Sequence, residues 1–324
     1  DYLKARPFLH AARACRACPA AAARCVSVAA SAPPDADFDR NNCASLHVGE
    51  WVRVLRRSPP QQGAVEWIYV HAGHSVGWLR APALTPAVDA DAFARWQAQT
   101  TVVPTHDEVR SEGGRVLRMG GLSYYEADAK GVADDDRVPV WLATDEGWVR
   151  DEVPAAEVHI GPEAFTRAAV LARAFGELNA PYGWGGRAGE RDCSRYLRDV
   201  FTGFGAQLAR HSAVQAMDAP LRVDVSGLDE AQKLERIAQA HKQGVVLLYM
   251  RGHIMLYLGE STREDGTTGH YGISSISEYL EPCEGADAGA PARVFRLDRV
   301  AVTTLELGRG TQRRAFIERI ETLA

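Results

Sequence analysis

Cys193 ends a glycine-rich run, Tyr182-Gly183-Trp184-Gly185-Gly186-Arg187-Ala188-Gly189-Glu190-Arg191-Asp192, and opens a helical pattern carrying Tyr196, Leu197, Val200 and Phe201. A thiol in the first turn of a helix meets unpaired N–H groups and the positive end of the helix dipole. Both favour the thiolate, which makes Cys193 a candidate nucleophile. His253 opens an apolar strand pattern, Gly252-His253-Ile254-Met255-Leu256-Tyr257-Leu258-Gly259, and alternation sets it on one face with Met255 and Tyr257. An imidazole there could take the thiol proton and later protonate a leaving amine. A polar residue on the following strand would hold the ring in one tautomer. With six cysteines and ten histidines the chain offers many such pairs, so a buried structural cysteine and a satisfied strand-end histidine are the competing readings.

The elements that must position these side chains can be read around them. Pro162 to Leu178 reads as a helix with Ala169, Leu171, Ala172, Phe175 and Leu178 on its apolar face. Asp229 to His241 reads as a second amphipathic helix, and residues 311–322 as a last one. Between these lie strand signals at Val245–Met250, His253–Leu258, Tyr271–Ile276 and Arg293–Leu297, with Asp265-Gly266 as a hairpin turn. The carboxy-terminal half is therefore α+β, with helices followed by an antiparallel sheet. Upstream, the chain turns β-rich: Trp51–Leu55, Glu66–Val70, Arg115–Arg118 and Val138–Leu142 are short strand patterns between turn signals. Gly77-Trp78-Leu79-Arg80 recurs as Gly147-Trp148-Val149-Arg150, which points to two copies of one small β module. Residues 1–44 read as an Ala-rich helical arm ending in a Pro/Asp loop.

Composition narrows the classes of partner. The 324 residues suffice for two or three domains. The net charge of −5, without a basic stripe, argues against nucleic acid. The longest apolar run, Val245 to Met250, is too short to span a bilayer. The chain opens on Asp1, which is read as the trace of a removed leader. Cys15, Cys18, Cys25 and Cys43 cluster near the start; disulfides, a zinc site using the Cys15-x-x-Cys18 spacing and free thiols all remain open, as does the state of Cys283. Gly183-x-Gly185-x-x-Ala188 fits a dinucleotide fingerprint only superficially, because a helix rather than a strand precedes it.

The turn from Pro181 onward, Asp192-Cys193-Ser194, the run Leu208-Ala209-Arg210-His211-Ser212-Ala213-Val214-Gln215 and the Gly252–Gly259 strand together resemble the NlpC/P60 family of cell-wall peptidases. Ala209 stands where the family usually has Pro. The resemblance runs over roughly residues 162–320 and implies a papain-like α+β catalytic domain. The two upstream modules resemble bacterial SH3-like barrels. The implied organisation is an arm over 1–44, barrels over 45–98 and 99–160, and the catalytic domain over 161–324. The SH3-bearing subgroup implies a γ-D-glutamyl-L-diamino acid endopeptidase acting on peptidoglycan stem peptides with a free N-terminal L-Ala, in the periplasm or outside the cell, without a metal or other cofactor.

Carried over by position, the resemblance makes Cys193 the nucleophile and His253 the base. Asp192 and Ser194 would help hold the N-terminal end of the substrate peptide, and Tyr182 would line the same pocket. Glu50, just before the first barrel strand, is the acidic residue expected to meet the substrate amine. The third catalytic position falls on Ser274 where the family usually has His, with Glu278 and His270 as the other candidates. Two other readings stay open: a wall-binding protein with a degenerate, non-catalytic peptidase domain, and a Cys/His amidase or acyltransferase acting on another amide.

Overall fold

The computed structural model describes residues 2–4, 14–16, 38, 42–59, 65–127, 136–144, 147–282 and 292–324. The chain divides into two compact units. One comprises 1–164, 183–190 and 199–206, and the other 165–182, 191–198 and 207–324.

The first unit is β-rich. Strands β1 (Tyr2–Lys4), β2 (Ala14–Arg16), β3 (Asn42–Ser45), β4 (Trp51–Arg57), β5 (Trp67–His71) and β6 (Val76–Arg80) form one sheet in the order β1-β4-β5-β6-β2-β3. Helix α1 (Ala90–Gln97) follows, capped by the Asp89 carboxylate, which accepts the Ala92 amide at 2.7 Å. Next come β7 (Thr101–Pro104), β8 (Val109–Arg110), β9 (Val116–Leu117), β10 (Ser123–Tyr125), β11 (Arg137–Thr144), β12 (Gly147–Pro154) and β13 (Val158–Ile160). Five of these make a second sheet in the order β12-β11-β10-β7-β13, and β8 pairs with β9.

Each sheet closes over its own apolar cluster, Val52, Ile68, Val70 and Leu79 in one, Val102, Val140, Leu142 and Val153 in the other. The repeated Gly-Trp tetrapeptides lie on β6 and β12, each paired antiparallel with the strand before it. Trp51, Trp96, Tyr124 and Trp148 stack between the sheets, and the Trp51 indole N–H donates to the Tyr124 hydroxyl at 2.9 Å.

Where residues 1–44 are described they are extended, in β1, β2 and β3, rather than helical. Pairing to β4 and β6 decides this over local Ala propensity, as tertiary context commonly does for short segments. The side chains of Cys15 and Cys43, and Cys18, Cys25 and Cys283 entirely, lie outside the described residues.

The second unit is built on one antiparallel sheet. Helices α2 (Arg167–Gly176), α3 (Cys193–Thr202, of which 193–198 belong to this unit) and α4 (Ser212–Met217) precede β14 (Val223–Asp224) and helix α5 (Glu230–Gln243). Then come β15 (Leu247–Met250), β16 (His253–Thr262), β17 (Thr268–Glu281), β18 (Arg293–Thr304), the single turn α6 (Phe316–Arg319) and β19 (Thr322–Leu323). The strand order is β14-β19-β15-β16-β17-β18. The α5 start is a capping box between Asp229 and Gln232. One face of the sheet buries Leu248, Met250, Met255 and Tyr257 with Ile237 of α5 and Phe316, Ile317 and Ile320 around α6.

Two expected helices differ in the structure. The first begins at Arg167, not Pro162, because the Thr166 hydroxyl caps it by accepting the Ala169 amide at 3.1 Å. Its buried residues are Val170, Arg173 and Ala174, while Phe175 and Leu178 face outward. Glu177 and Arg191 form an ion pair at 2.8 Å, each only 3% exposed, so the helix turns a charged residue inward where apolar spacing favoured Leu178. The carboxy-terminal helix shrinks to four residues. Arg314 takes a positive φ inside the expected span, which breaks the helix, and the chain then re-enters the sheet as β19.

Candidate active site

The turn before α3 needs a backbone that most residues resist. Gly185, Gly186 and Gly189 have φ of 64°, 82° and 85°. Tyr182 and Arg191 bridge across the base of this turn. Asp192 then acts as the helix cap: its Oδ1 accepts the Arg195 amide at 2.9 Å, three residues on. Cys193 is therefore the first residue of α3, buried and with a free thiol.

The charge beside that thiol is already matched. Arg210 donates to both Asp192 oxygens, at 3.0 and 2.5 Å, and to the Ser194 hydroxyl at 2.8 Å. Ser194 in turn donates to Asp192 at 3.1 Å. This is a two-pronged guanidinium–carboxylate pair, 4% and 10% exposed, which fixes orientation as well as charge. Gln215 adds a second brace, with its amide donating to the Ser194 and Ala209 carbonyls at 2.8 and 2.7 Å. All these observed partners of Asp192 and Ser194 lie within the chain.

The strand β16 supplies the other half. The backbone amides of Ile254, at the start of this strand, and of Ser194 act on the Cys193 sulfur and favour its charged form. His253 immediately precedes Ile254, and its Nε2 lies 3.0 Å from the Ser274 Oγ on β17. Of the three residues considered for the third position, Ser274 is the one the structure brings to the ring. Glu278 pairs with Arg313 at 3.1 Å, and His270 lies 2.9 Å from the Tyr257 hydroxyl. A register shift between Tyr257 and Gly259 sets this offset. The neighbouring Ser275 is equally buried and points to the other face, where it donates to the Arg191 carbonyl at 2.6 Å.

Electrostatics depart from the expectation of a thiolate stabilised by the helix start. Burial pushes the Cys193 thiol up to about 12, and the Asp192 charge adds to this; the two amides and Arg210 pull the other way without prevailing. Burial, then the Arg319 cation, holds His253 down to about 4, against a smaller pull from Asp192. Each group alone thus favours its neutral form. Tyr182 is pushed well above its ordinary range by burial and by Asp192 and Cys193, so its phenol stays protonated beside them.

Glu50, the expected amine contact, accepts the His47 amide at 3.2 Å across a tight turn. Arg210, Gln215, Phe316 and Arg319 were given no role by the sequence reading. The first two sit in the quoted Leu208–Gln215 run, which was the available signal; the last two follow from no local pattern. Among the described residues, no group of three or more His, Cys, Asp or Glu could hold a metal ion.

With this geometry in hand, residues 179–280 match the family model described as NlpC/P60 family. The chain carries an NlpC/P60 family domain. The matched segment begins three residues after α2 and includes Cys193, His253 and Ser274. An NlpC/P60 endopeptidase from Photobacterium damselae subsp. piscicida has a similar fold, with a TM-score of 0.69 at 15% identity over 89% of this chain. The chain covers 66% of that protein, just under two thirds of its length. An NlpC/P60 family protein from Bacillus cereus ATCC 10987 gives a TM-score of 0.52 at 15% identity, over 85% of this chain and 79% of the other. No curated protein matches the chain. No helix among the described residues is long and apolar enough to cross a membrane.

Proposed function

We propose that the chain is a cysteine peptidase that hydrolyses the γ-D-glutamyl–diamino acid amide of peptidoglycan stem peptides, with Cys193, His253 and Ser274 as its catalytic residues. The observation that carries this reading is the start of β16, where the His253 imidazole is anchored on Ser274 at 3.0 Å and the amide of the next residue, Ile254, favours the charged form of the Cys193 thiol. With Nε2–H donating to Ser274, Nδ1 is left as the basic nitrogen. It takes the thiol proton as the sulfur attacks the amide carbonyl, and the carbonyl oxygen becomes an oxyanion met by the Cys193 N–H at the helix start. The imidazolium then protonates the departing diamino acid, leaving an acyl-enzyme that water hydrolyses. Moving a proton from sulfur to ring changes no net charge in the site, so two groups that are neutral at rest can still react as a pair.

The turn Asp192-Cys193-Ser194, braced by Arg210, sets the sulfur, and Tyr182 offers a phenol O–H beside it. Asp192, Ser194 and Tyr182 are the residues proposed to meet the N-terminal L-Ala end of the peptide. The two β modules, read as SH3-like over 45–98 and 99–160, would restrict the substrate to small stem peptides in the periplasm or outside the cell.

The test is incubation with L-Ala-γ-D-Glu-diaminopimelate and measurement of released diaminopimelate. Wild type should release it, and C193A should not. No release from wild type, with C193A indistinguishable from it, leaves the binding-protein reading in its place. Cleavage of other amides but not of this one points to the amidase reading.

A further inference from the structure

The one-turn helix α6 lies outside every motif that marks the site, yet it packs against the proposed base. The Phe316 ring stacks on the His253 imidazole, with centroids 5.6 Å apart and planes 25° from parallel. The Arg319 guanidinium carbon lies 5.9 Å from the centre of the same Phe316 ring. Arg319 also reaches the Arg251 carbonyl, at 3.5 Å, on the turn that leads into His253. The helix is itself pinned: Lys233 of α5, 3% exposed, donates to the carbonyls of Ile317, Glu318 and Ile320 at 3.2, 3.0 and 2.7 Å. A cation at three last-turn carbonyls suits the negative end of a helix.

We propose that Arg319, seated on Phe316 and held by the Lys233 clamp, is a positioning residue that fixes the His253 ring on Ser274 and keeps the ring unprotonated until the thiol gives up its proton. The inference rests on the reading of His253 as the base. The described groups facing the imidazole are few. Ser274 on β17 and Phe316 on α6 are neutral. Asp192, before α3, carries a charge that favours imidazolium but is already paired with Arg210. Arg251 is exposed on the adjoining turn, and the amide of Ile254, the residue after His253, favours the charged form of the Cys193 thiol. Burial does most to oppose protonation of the ring, and Arg319 is the cation that adds to it. Arg313, the neighbouring cation, is paired with Glu278 and acts on Arg319.

The experiment is an NMR titration of ring-labelled histidines in the full chain, with the His253 resonance assigned from an H253Q sample and pH profiles of kcat/KM measured alongside. In R319M, which keeps the stem but not the charge, the His253 midpoint should rise by about one pH unit. The acid limb of kcat/KM should move with it. R319K should restore most of the wild-type midpoint. An R319M protein that melts as wild type does but titrates His253 unchanged overturns the proposal. Should R319M fail to fold, R319Q takes its place: a His253 midpoint above the wild-type one supports the proposal, and one equal to it overturns it. Because the titration needs no substrate, a wild-type protein that hydrolyses nothing would remove the peptidase reading while the Arg319 effect is still measured.

Discussion

At Cys193, the proposed nucleophile, the decisive feature is that the adjoining Asp192 carboxylate is paired within the chain. An unpaired Asp192 next to Cys193 would disfavour the thiolate further; Arg210 offsets part of that charge and ties Ser194 into the same network. Removing Arg210 takes a two-pronged cation away from a buried carboxylate. R210M should therefore cost about 3–5 kcal/mol, a fall of roughly 10 °C in Tm, and should lower activity through loss of the turn geometry. S274A removes the partner of Nε2 without touching the sulfur, so kcat should fall roughly tenfold with KM little changed. The pH profile follows from the pair as a unit. Burial resists both a second proton on the ring and the loss of the thiol proton, so kcat/KM should hold a broad plateau through neutrality. Its acid limb should lie below the ordinary histidine value. Cys193 and His253 were legible because a glycine turn, a helix start and a strand start are local patterns. Arg210 was visible only as part of a run, because its partner lies 18 positions away in sequence.

Among the elements, the reading held where one period ran unbroken, as in α3, whose Tyr196, Leu197, Val200 and Phe201 are all buried. It slipped where polar pairs entered the interior. In α2 the Glu177–Arg191 pair turns Leu178 outward, and no spacing rule announces a buried ion pair. The end of the chain shows another limit: apolar residues in 311–322 fitted a helix, but the positive φ of Arg314 breaks it into a turn and a strand. The importance of α6 comes from Lys233, distant in sequence. K233M would leave three buried carbonyls without their donor, so a loss of about 2–4 kcal/mol in chemical denaturation is expected. Because α6 backs His253, the variant should also lower kcat in the protein that remains folded.

For the molecule as a whole, buried titratable groups make folding sensitive to acid. His253 is held well below its ordinary value by burial and Arg319, and His241 is lowered by burial and Arg167. An unfolded chain binds protons at these rings from about pH 6.5 downward, before the native state does, so stability falls as pH drops from there toward the native value near 4. For His253, whose ring keeps some contact with solvent, the loss is at most about 3 kcal/mol. Calorimetry at pH 7.5 and pH 4.5 should show a lower Tm at pH 4.5. H253Q should lessen the difference. The β-rich first half was legible as short strands, while the joining of its two sheets by Trp51, Trp96, Tyr124 and Trp148 was not, since aromatic contacts across sheets leave no sequence period. Strand β17 brings one more consequence. Its adjacent serines serve opposite sides, Ser274 for the His253 ring and Ser275 for the backbone that leads to Cys193. Lengthening or shortening that strand by a single residue would trade their places and disarm both partners at once. The hairpin tip over 263–267 should absorb insertions freely, whereas even one residue added between Gly272 and Ser275 should silence the protein.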